Sequence, residues 1–158
     1  MSEFSVYLQQ RPGELAGVLD AAKAAGVQII SISTTEHQER GCVRLIGTPE
    51  AALRQTCESL SDAGLGPVVE SPVVGVGIEN RPGVIRDLSV LMADNRLNIR
   101  YCYLVPQAAG IEGALCVLRF DEHERAMELI TQTDWPMIEH PGDTDDNPSG
   151  SITDESAA

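Results

Sequence analysis

Asn80-Arg81-Pro82-Gly83-Val84-Ile85, with Leu97-Asn98-Ile99 beginning fourteen residues beyond Gly83, has a counterpart seventy residues earlier. There Arg11-Pro12-Gly13-Glu14-Leu15 is followed, at the same interval from its glycine, by Val27-Gln28-Ile29. An apolar strand runs into each Pro-Gly pair and an amphipathic run leaves it, so the chain reads as one module written twice. Proline sets φ near the helical value and lacks an N–H that a first helical turn leaves unpaired anyway. Glycine lets the backbone turn tightly and lets another group come close. Pro-Gly here is therefore a strand-to-helix turn, and its free N–H groups face whatever sits above the positive end of the helix dipole. A small carboxylate suits that position. A plain helix start is the better explanation of one copy. Two copies, each with an amide side chain fifteen residues past its glycine (Gln28 and Asn98), bring a ligand site level with it.

Working outward, Phe4, Val6 and Leu8 alternate with Ser5 and Tyr7 as in a half-buried strand. Leu15, Val18, Leu19 and Ala22 form a helical stripe that Gly26 ends. Val27 to Thr35 is a second strand with Ser31 and Ser33 on the face of Ile29 and with Ile30 and Ile32 on the other. A hairpin over Glu36 to Gly41 leads to a third strand ending at Ile46. Pro49-Glu50 opens a helix carrying Leu53, Cys57 and Leu60, and Pro67 to Glu70 is a fourth strand.

The second copy repeats the order βαββαβ. Val74, Val76 and Ile78 alternate with Gly75 and Gly77, whose bare face implies a close neighbour. Val84, Ile85, Leu88, Leu91 and Met92 are the helix stripe. Asn98 to Val105 presents Tyr101 and Tyr103 where the first copy has Ser31 and Ser33, and packing between modules is the expected role of the tyrosines. Pro106 to Gly113 reads as a loop. Ala114 to Phe120 is apolar on both faces, as an inner strand covered twice, or one at an interface, would be. Glu122 to Thr131 is a helix, and Pro136 makes the last strand an edge. The divisions expected are 3–70, 71–139 and an acidic, disordered tail over 140–158.

Composition narrows the function. With 158 residues and 42% apolar content the chain folds as a globule, but modules of about 70 residues each need a partner surface. A net charge of −13 repels nucleic acid. Apolar runs are too short to span a bilayer, and Met1-Ser2-Glu3 leads straight into a strand with no signal peptide, so the expected location is the cytoplasm. Lys23 is the only lysine, which fits a high-salt cytoplasm or an arginine-preferring genome equally well. Cys42, Cys57, Cys102 and Cys116 form no CxxC pair and read as small buried hydrophobes. His37, His123 and His140 lack zinc-ligand spacing, so neither a metal nor a cofactor is expected. No nucleophile elbow, P-loop or dinucleotide fingerprint is present, and Gly75-Val76-Gly77 falls inside a strand, so no enzyme is expected.

Two βαββαβ modules, each with a Pro-Gly turn after strand one and an Asn-Ile or Gln-Ile step into strand two, resemble tandem ACT domains over residues 3–139. Glu79 to Gly83 with Leu97-Asn98-Ile99 follows the family pattern closely, whereas the first copy departs from it by placing Gln28 where Asn is expected. The resemblance implies an α+β fold of two ferredoxin-like modules, side by side as one eight-stranded antiparallel sheet with helices on one face. It also implies a homodimer and a small amino acid bound between domains, as in stand-alone two-ACT regulators. The implied ligand-binding residues are Gln10, Arg11, Gly13, Glu14, Leu15 and Gln28 in the first copy, and Asn80, Arg81, Gly83, Val84, Ile85 and Asn98 in the second. The turns would give backbone N–H groups to the ligand carboxylate, and Asn98 or Gln28 would bond it from the facing domain. A regulated protein partner would carry the output. The alternative is a protein-interaction adaptor on the same fold without a small ligand.

Overall fold

The computed structural model describes residues 1–37, 40–106 and 113–139. Its elements run β1 (Ser2–Gln9), α1 (Glu14–Ala24), β2 (Gln28–His37), β3 (Arg40–Thr48), α2 (Glu50–Asp62), β4 (Val68–Pro72), then β5 (Val74–Ile78), α3 (Val84–Asp94), β6 (Ile99–Pro106), β7 (Ala114–Phe120), α4 (His123–Thr131) and β8 (Met137–Ile138). Both modules are βαββαβ, as the doubled pattern requires. The tail over 140–158, most of the Pro106 to Gly113 loop and the tip of the Glu36 to Gly41 hairpin lie outside the described residues.

Each module builds its own antiparallel sheet, in the orders β2-β3-β1-β4 and β6-β7-β5-β8. The α+β class therefore holds, but the single eight-stranded sheet does not form. Two four-stranded sheets lie with their helix-free faces against each other, and one residue, Val73, carries the chain from β4 to β5. The reason is the second face of β7. Cys116, Leu118 and Phe120 join Val76, Leu88, Met92, Ala126 and Ile130 in a core under α3 and α4. Leu115 and Val117, on the opposite face, pack with Ile46 and Val73 and with the partly buried Met1, Ile30, Tyr103, Val105 and Ile138. In a side-by-side sheet that second apolar face would stay in water. Burying it is worth roughly 25 cal/mol per Å². The first module has a matching core of Phe4, Val6, Leu8, Val18, Ala22, Leu45, Leu53 and Cys57.

Gly75 has the close neighbour that its bare face implies. A Cβ there would run into the Met1 Cε and would meet the Ile138 carbonyl oxygen at 2.9 Å and the Leu115 Cδ1 at 3.0 Å. Strand alternation fails at one point in each copy. The register shifts between Ile29 and Ser31 in β2, and between Ile99 and Tyr101 in β6. Ile29 packs on the helix-side core, whereas the buried Ser31, past the bulge, meets the Tyr103 hydroxyl between the sheets, so Ile29 and Ser31 do not share a face.

One polar group is sealed between the sheets. Glu3 is 0% exposed and accepts hydrogen bonds from the Tyr101 hydroxyl at 2.5 Å and the Tyr103 hydroxyl at 2.6 Å. Arg44 lies alongside, its Nε 3.7 Å from the Glu3 Oε1 and its guanidinium 4.7 Å from the centre of the Tyr101 ring. Burial first, and then the hydrogen bond to Glu3, push both phenols well above the ordinary tyrosine range. The tyrosines thus serve the module interface, as expected, but by holding a carboxylate as much as by apolar packing.

Three expectations about burial change. Leu15 and Ile85, at matching positions in the first turns of α1 and α3, are each 37% exposed rather than part of the buried stripe. Cys102 is exposed while Cys42, Cys57 and Cys116 are buried. Cys102 lies on β6, an edge strand of its sheet. Among the described residues no helix is long and apolar enough to cross a membrane.

Candidate functional site

The strand-to-helix turns form as their sequence dictates, with one change of role. Gly13 (φ 94°) and Gly83 (φ 87°), not the prolines, are the N-caps, each in the left-handed conformation. Any other residue would be strained there by about 1 kcal/mol or more. The proline stands one place earlier and stiffens the approach. Gly17 N donates to the Gly13 oxygen at 2.9 Å and Asp87 N donates to the Gly83 oxygen at 2.9 Å, which starts each helical ladder. No side chain caps either helix. The first amides of α3, at Val84, Ile85 and Arg86, therefore have no acceptor of the helix's own making, and the positive end of the dipole is open.

Arg81 is the charged residue of the second turn. Its Nη1 donates to the Asp87 Oδ2 at 3.0 Å and its Nε to the Glu79 Oε2 at 3.2 Å. The hydrogen bond to Arg81 holds the Asp87 carboxyl below the ordinary aspartate range, and Asp87 in turn raises the Arg81 guanidinium. Both are ionised at neutral pH, and both are partly open to solvent, with side-chain exposures of 46% and 41%. Exposed pairs of this kind orient more than they stabilise.

Two clefts flank this turn. One, of about 760 Å³, lies between β5, α3 and the segment joining α4 to β8. Its apolar walls include Ile78, Val84, Leu91, Trp135 and Ile138, and its charged groups are Glu79, Arg81, Asp87 and Asp134. The other, of about 690 Å³, lies on the β6 side and adds Asn80, Ile85, Leu104 and Pro106 to Ile78, Glu79, Arg81 and Val84. Asn80, Arg81, Val84 and Ile85 are thus brought together with a mixed polar and apolar surface. Leu91, Asp134 and Trp135 complete it, and sequence reading missed them as site residues. Leu91 carried a helical-stripe signal, whereas Asp134 and Trp135 lie about fifty residues from the turn and had none. Gln10, Arg11, Glu14 and Leu15 occupy the equivalent turn of the first module, all four at its surface or half-buried.

The two amides lie elsewhere. In the second sheet Ile78 pairs with Ala114, at one end of β7, while Ile99 pairs with Phe120, at the other. Asn98 is therefore at the far end of its own sheet from Gly83. Its Nδ2 donates to the Asp121 Oδ2 at 2.7 Å, and this bond, with Arg100 next, depresses the Asp121 carboxyl. In the first sheet Gln28 pairs with Thr48 while Gln9, beside the turn, pairs with Arg40, so Gln28 is likewise remote from Gly13. Neither amide lines either cleft at the second turn. Among the described residues no group of three or more His, Cys, Asp or Glu is placed to hold a metal.

A family model described as an ACT domain pair matches residues 1–143. Among solved structures, a protein from Bacteroides thetaiotaomicron is similar at a TM-score of 0.75 and 19% identity, with 87% of this chain and 90% of that one covered. The ligand-free regulatory subunit of aspartate kinase from Thermus thermophilus is similar at a TM-score of 0.56 and 19% identity, with coverages of 83% and 90%. The corresponding Thermus flavus subunit gives 0.55 and 18%, with coverages of 83% and 90%. At these identities the likeness is one of fold. No curated protein matches the chain by sequence.

Proposed function

The chain belongs to the ACT domain pair family, and from that premise we propose that it is a non-catalytic regulatory protein that binds a small amino acid at the second module's Pro-Gly turn. The observation that carries this reading is the 760 Å³ cleft, which sets charges of both signs beside an apolar wall next to an uncapped helix N-terminus. A zwitterion needs that combination. Its carboxylate would take the free amides at the start of α3 and the guanidinium of Arg81. Its ammonium group would face Asp134 or Glu79. An apolar side chain would lie on Leu91 and Trp135.

Asn98 and Gln28 lie at the opposite ends of their sheets, so they enter this reading only across a domain interface. A homodimer would supply such an interface, with the amide of one chain bonding a ligand held at the turn of the other. The half-exposed Leu15 and Ile85 support this, because they leave apolar surface beside both turns for a second surface to cover. Binding across an interface shifts how chains or modules associate, which is how a protein without catalysis passes a signal to a partner.

The test is a thermal-shift screen of the twenty amino acids on the parent protein and on Arg81→Ala, followed by calorimetric titration of any hit. A ligand that binds only the folded form must raise the Tm by mass action. The reading expects one small amino acid to stabilise the parent, with the effect lost in Arg81→Ala. No shift with any of the twenty, in protein shown to be folded, would leave the adaptor reading in its place.

A further inference from the structure

We propose that the chain has a second ligand site, for a small anion, in the seam between the two sheets. A cleft of about 250 Å³ opens there, at the end of the seam remote from the second module's turn. Three of the ten arginines of this strongly acidic chain line it, Arg44 from the first sheet and Arg100 and Arg119 from the second. The register explains their convergence. Arg119 is paired with Tyr101 across β7 and β6, and Arg44 lies over the Tyr101 ring from the opposite sheet. Two guanidinium groups are thereby held on neighbouring positions of facing sheets. The hydroxyls of Ser5, Tyr7 and Ser71 line the same cleft.

The carboxylates nearby leave these cations incompletely matched. Glu3 takes the hydroxyls of Tyr101 and Tyr103 and stands 3.7 Å from the Arg44 Nε, which is buried with no hydrogen-bond partner, while the Arg44 Nη1 donates to the Thr35 hydroxyl at 3.0 Å. Asp121, at the rim, is shared between Asn98 and Arg100. Arg119 spends one nitrogen on the Phe120 carbonyl oxygen at 3.0 Å. Among the described residues, neither Arg44 nor Arg119 has a carboxylate within hydrogen-bonding distance. Like charges held together in a partly desolvated cleft repel, and an anion bridging them turns that repulsion into charge-assisted hydrogen bonds. The guanidinium fork suits an ion presenting two or three oxygens, as phosphate and short dicarboxylates do. The volume limits the guest to about that size. Because both sheets contribute, the anion would bind only the docked pair of modules and would hold them together.

Calorimetric titration of the full chain with inorganic phosphate and, separately, with malonate tests this, with Arg119→Gln, Arg100→Gln and the distant Arg81→Ala titrated alongside. We expect saturable binding of at least one of the two anions, weakened by on the order of tenfold or more in Arg119→Gln or Arg100→Gln, and unchanged in Arg81→Ala. Which of the two binds tells whether the natural ligand carries a phosphoryl group or a pair of carboxylates. Arg100 is largely solvent-exposed, so its variant leaves folding intact and remains informative if Arg119→Gln does not fold. Linear, non-saturating heats with both anions, or binding equal in the parent and both cleft variants, overturns the proposal. Since Arg81→Ala abolishes only the amino-acid site, the two sites stand or fall separately.

Discussion

Replacing Glu3 probes the reasoning about the module interface most directly. The carboxylate is fully buried and receives two phenolic hydrogen bonds from the other module. A hydrogen bond to a charged group contributes about 1.5–3 kcal/mol, so two of them amount to roughly 3–6 kcal/mol. The desolvation of the carboxylate opposes this by several kcal/mol. Glu3→Ala removes both terms, but it leaves two phenols without their acceptor and Arg44 without its nearest carboxylate. The expected loss is about 3 kcal/mol, in line with breaking one side of a buried pair and a large share of the 5–15 kcal/mol typical of a domain. The triple variant Glu3→Leu, Tyr101→Phe, Tyr103→Phe should recover most of that loss, because replacing the acceptor and both of its phenolic donors with apolar groups of similar shape is nearly neutral and leaves only the partly solvated Arg44 without its partner. Equilibrium urea unfolding, followed by circular dichroism and by Trp135 fluorescence, reads both numbers. Trp135 lies in the second module, so a separation of the two transitions in Glu3→Ala would show the modules uncoupling. A Glu3→Ala loss below about 0.5 kcal/mol, or a triple variant no better than the single one, would refute the account of Glu3 as an interface group.

Gly75→Ala places a methyl group against the Ile138 carbonyl and the Leu115 side chain, so it should lower stability by about 1–3 kcal/mol in urea unfolding, while the equivalent change at half-buried Gly41, where an added Cβ meets nothing within 4 Å, should have little effect. Glu70 is hydrogen-bonded by the Arg54 Nε at 2.9 Å, and that bond, against a smaller opposing effect of burial, holds its carboxyl at about 2. A depressed carboxylate adds stability that is complete above its ordinary value of about 4.3 and is lost as pH falls toward 2. The gap in urea midpoint between the parent and Glu70→Gln should accordingly be constant above pH 5 and close between about pH 4 and 2. Burial pushes the Cys57 and Cys116 thiols up to about 11 and about 12, whereas Cys102 is exposed. Native protein should therefore show one fast thiol toward a disulfide reagent, lost in Cys102→Ser, with the other three reacting only on unfolding.

The sequence by itself determined the modules. Pro-Gly followed by a 3.6-residue stripe, and strands of period two on either side, are local patterns whose physics is complete within a few residues. That is why β1, α1, β3, α2, β5, α3 and β7 were legible, along with the Pro-Gly turns. Apolar residues on both faces of β7 even announced that a second surface would cover it. What the sequence left open was how that cover is arranged. Whether Leu115 and Val117 meet a strand edge, a second chain or the facing sheet depends on surfaces seventy residues apart, and no local period encodes that. The bulges after Ile29 and Ile99 slide each strand by one residue and change which side chains reach the seam. They carry no signal, because they arise from fitting a twisted edge strand to its neighbour. The same is true of both proposed sites. The turn at Gly83 was visible, but Trp135 and Asp134 reach it only because β8 returns beside β5. Glu3 looked like an ordinary charged residue at the start of the chain. Only the stacking of the two sheets buried it, gave it two tyrosines, and set Arg44 opposite Arg119.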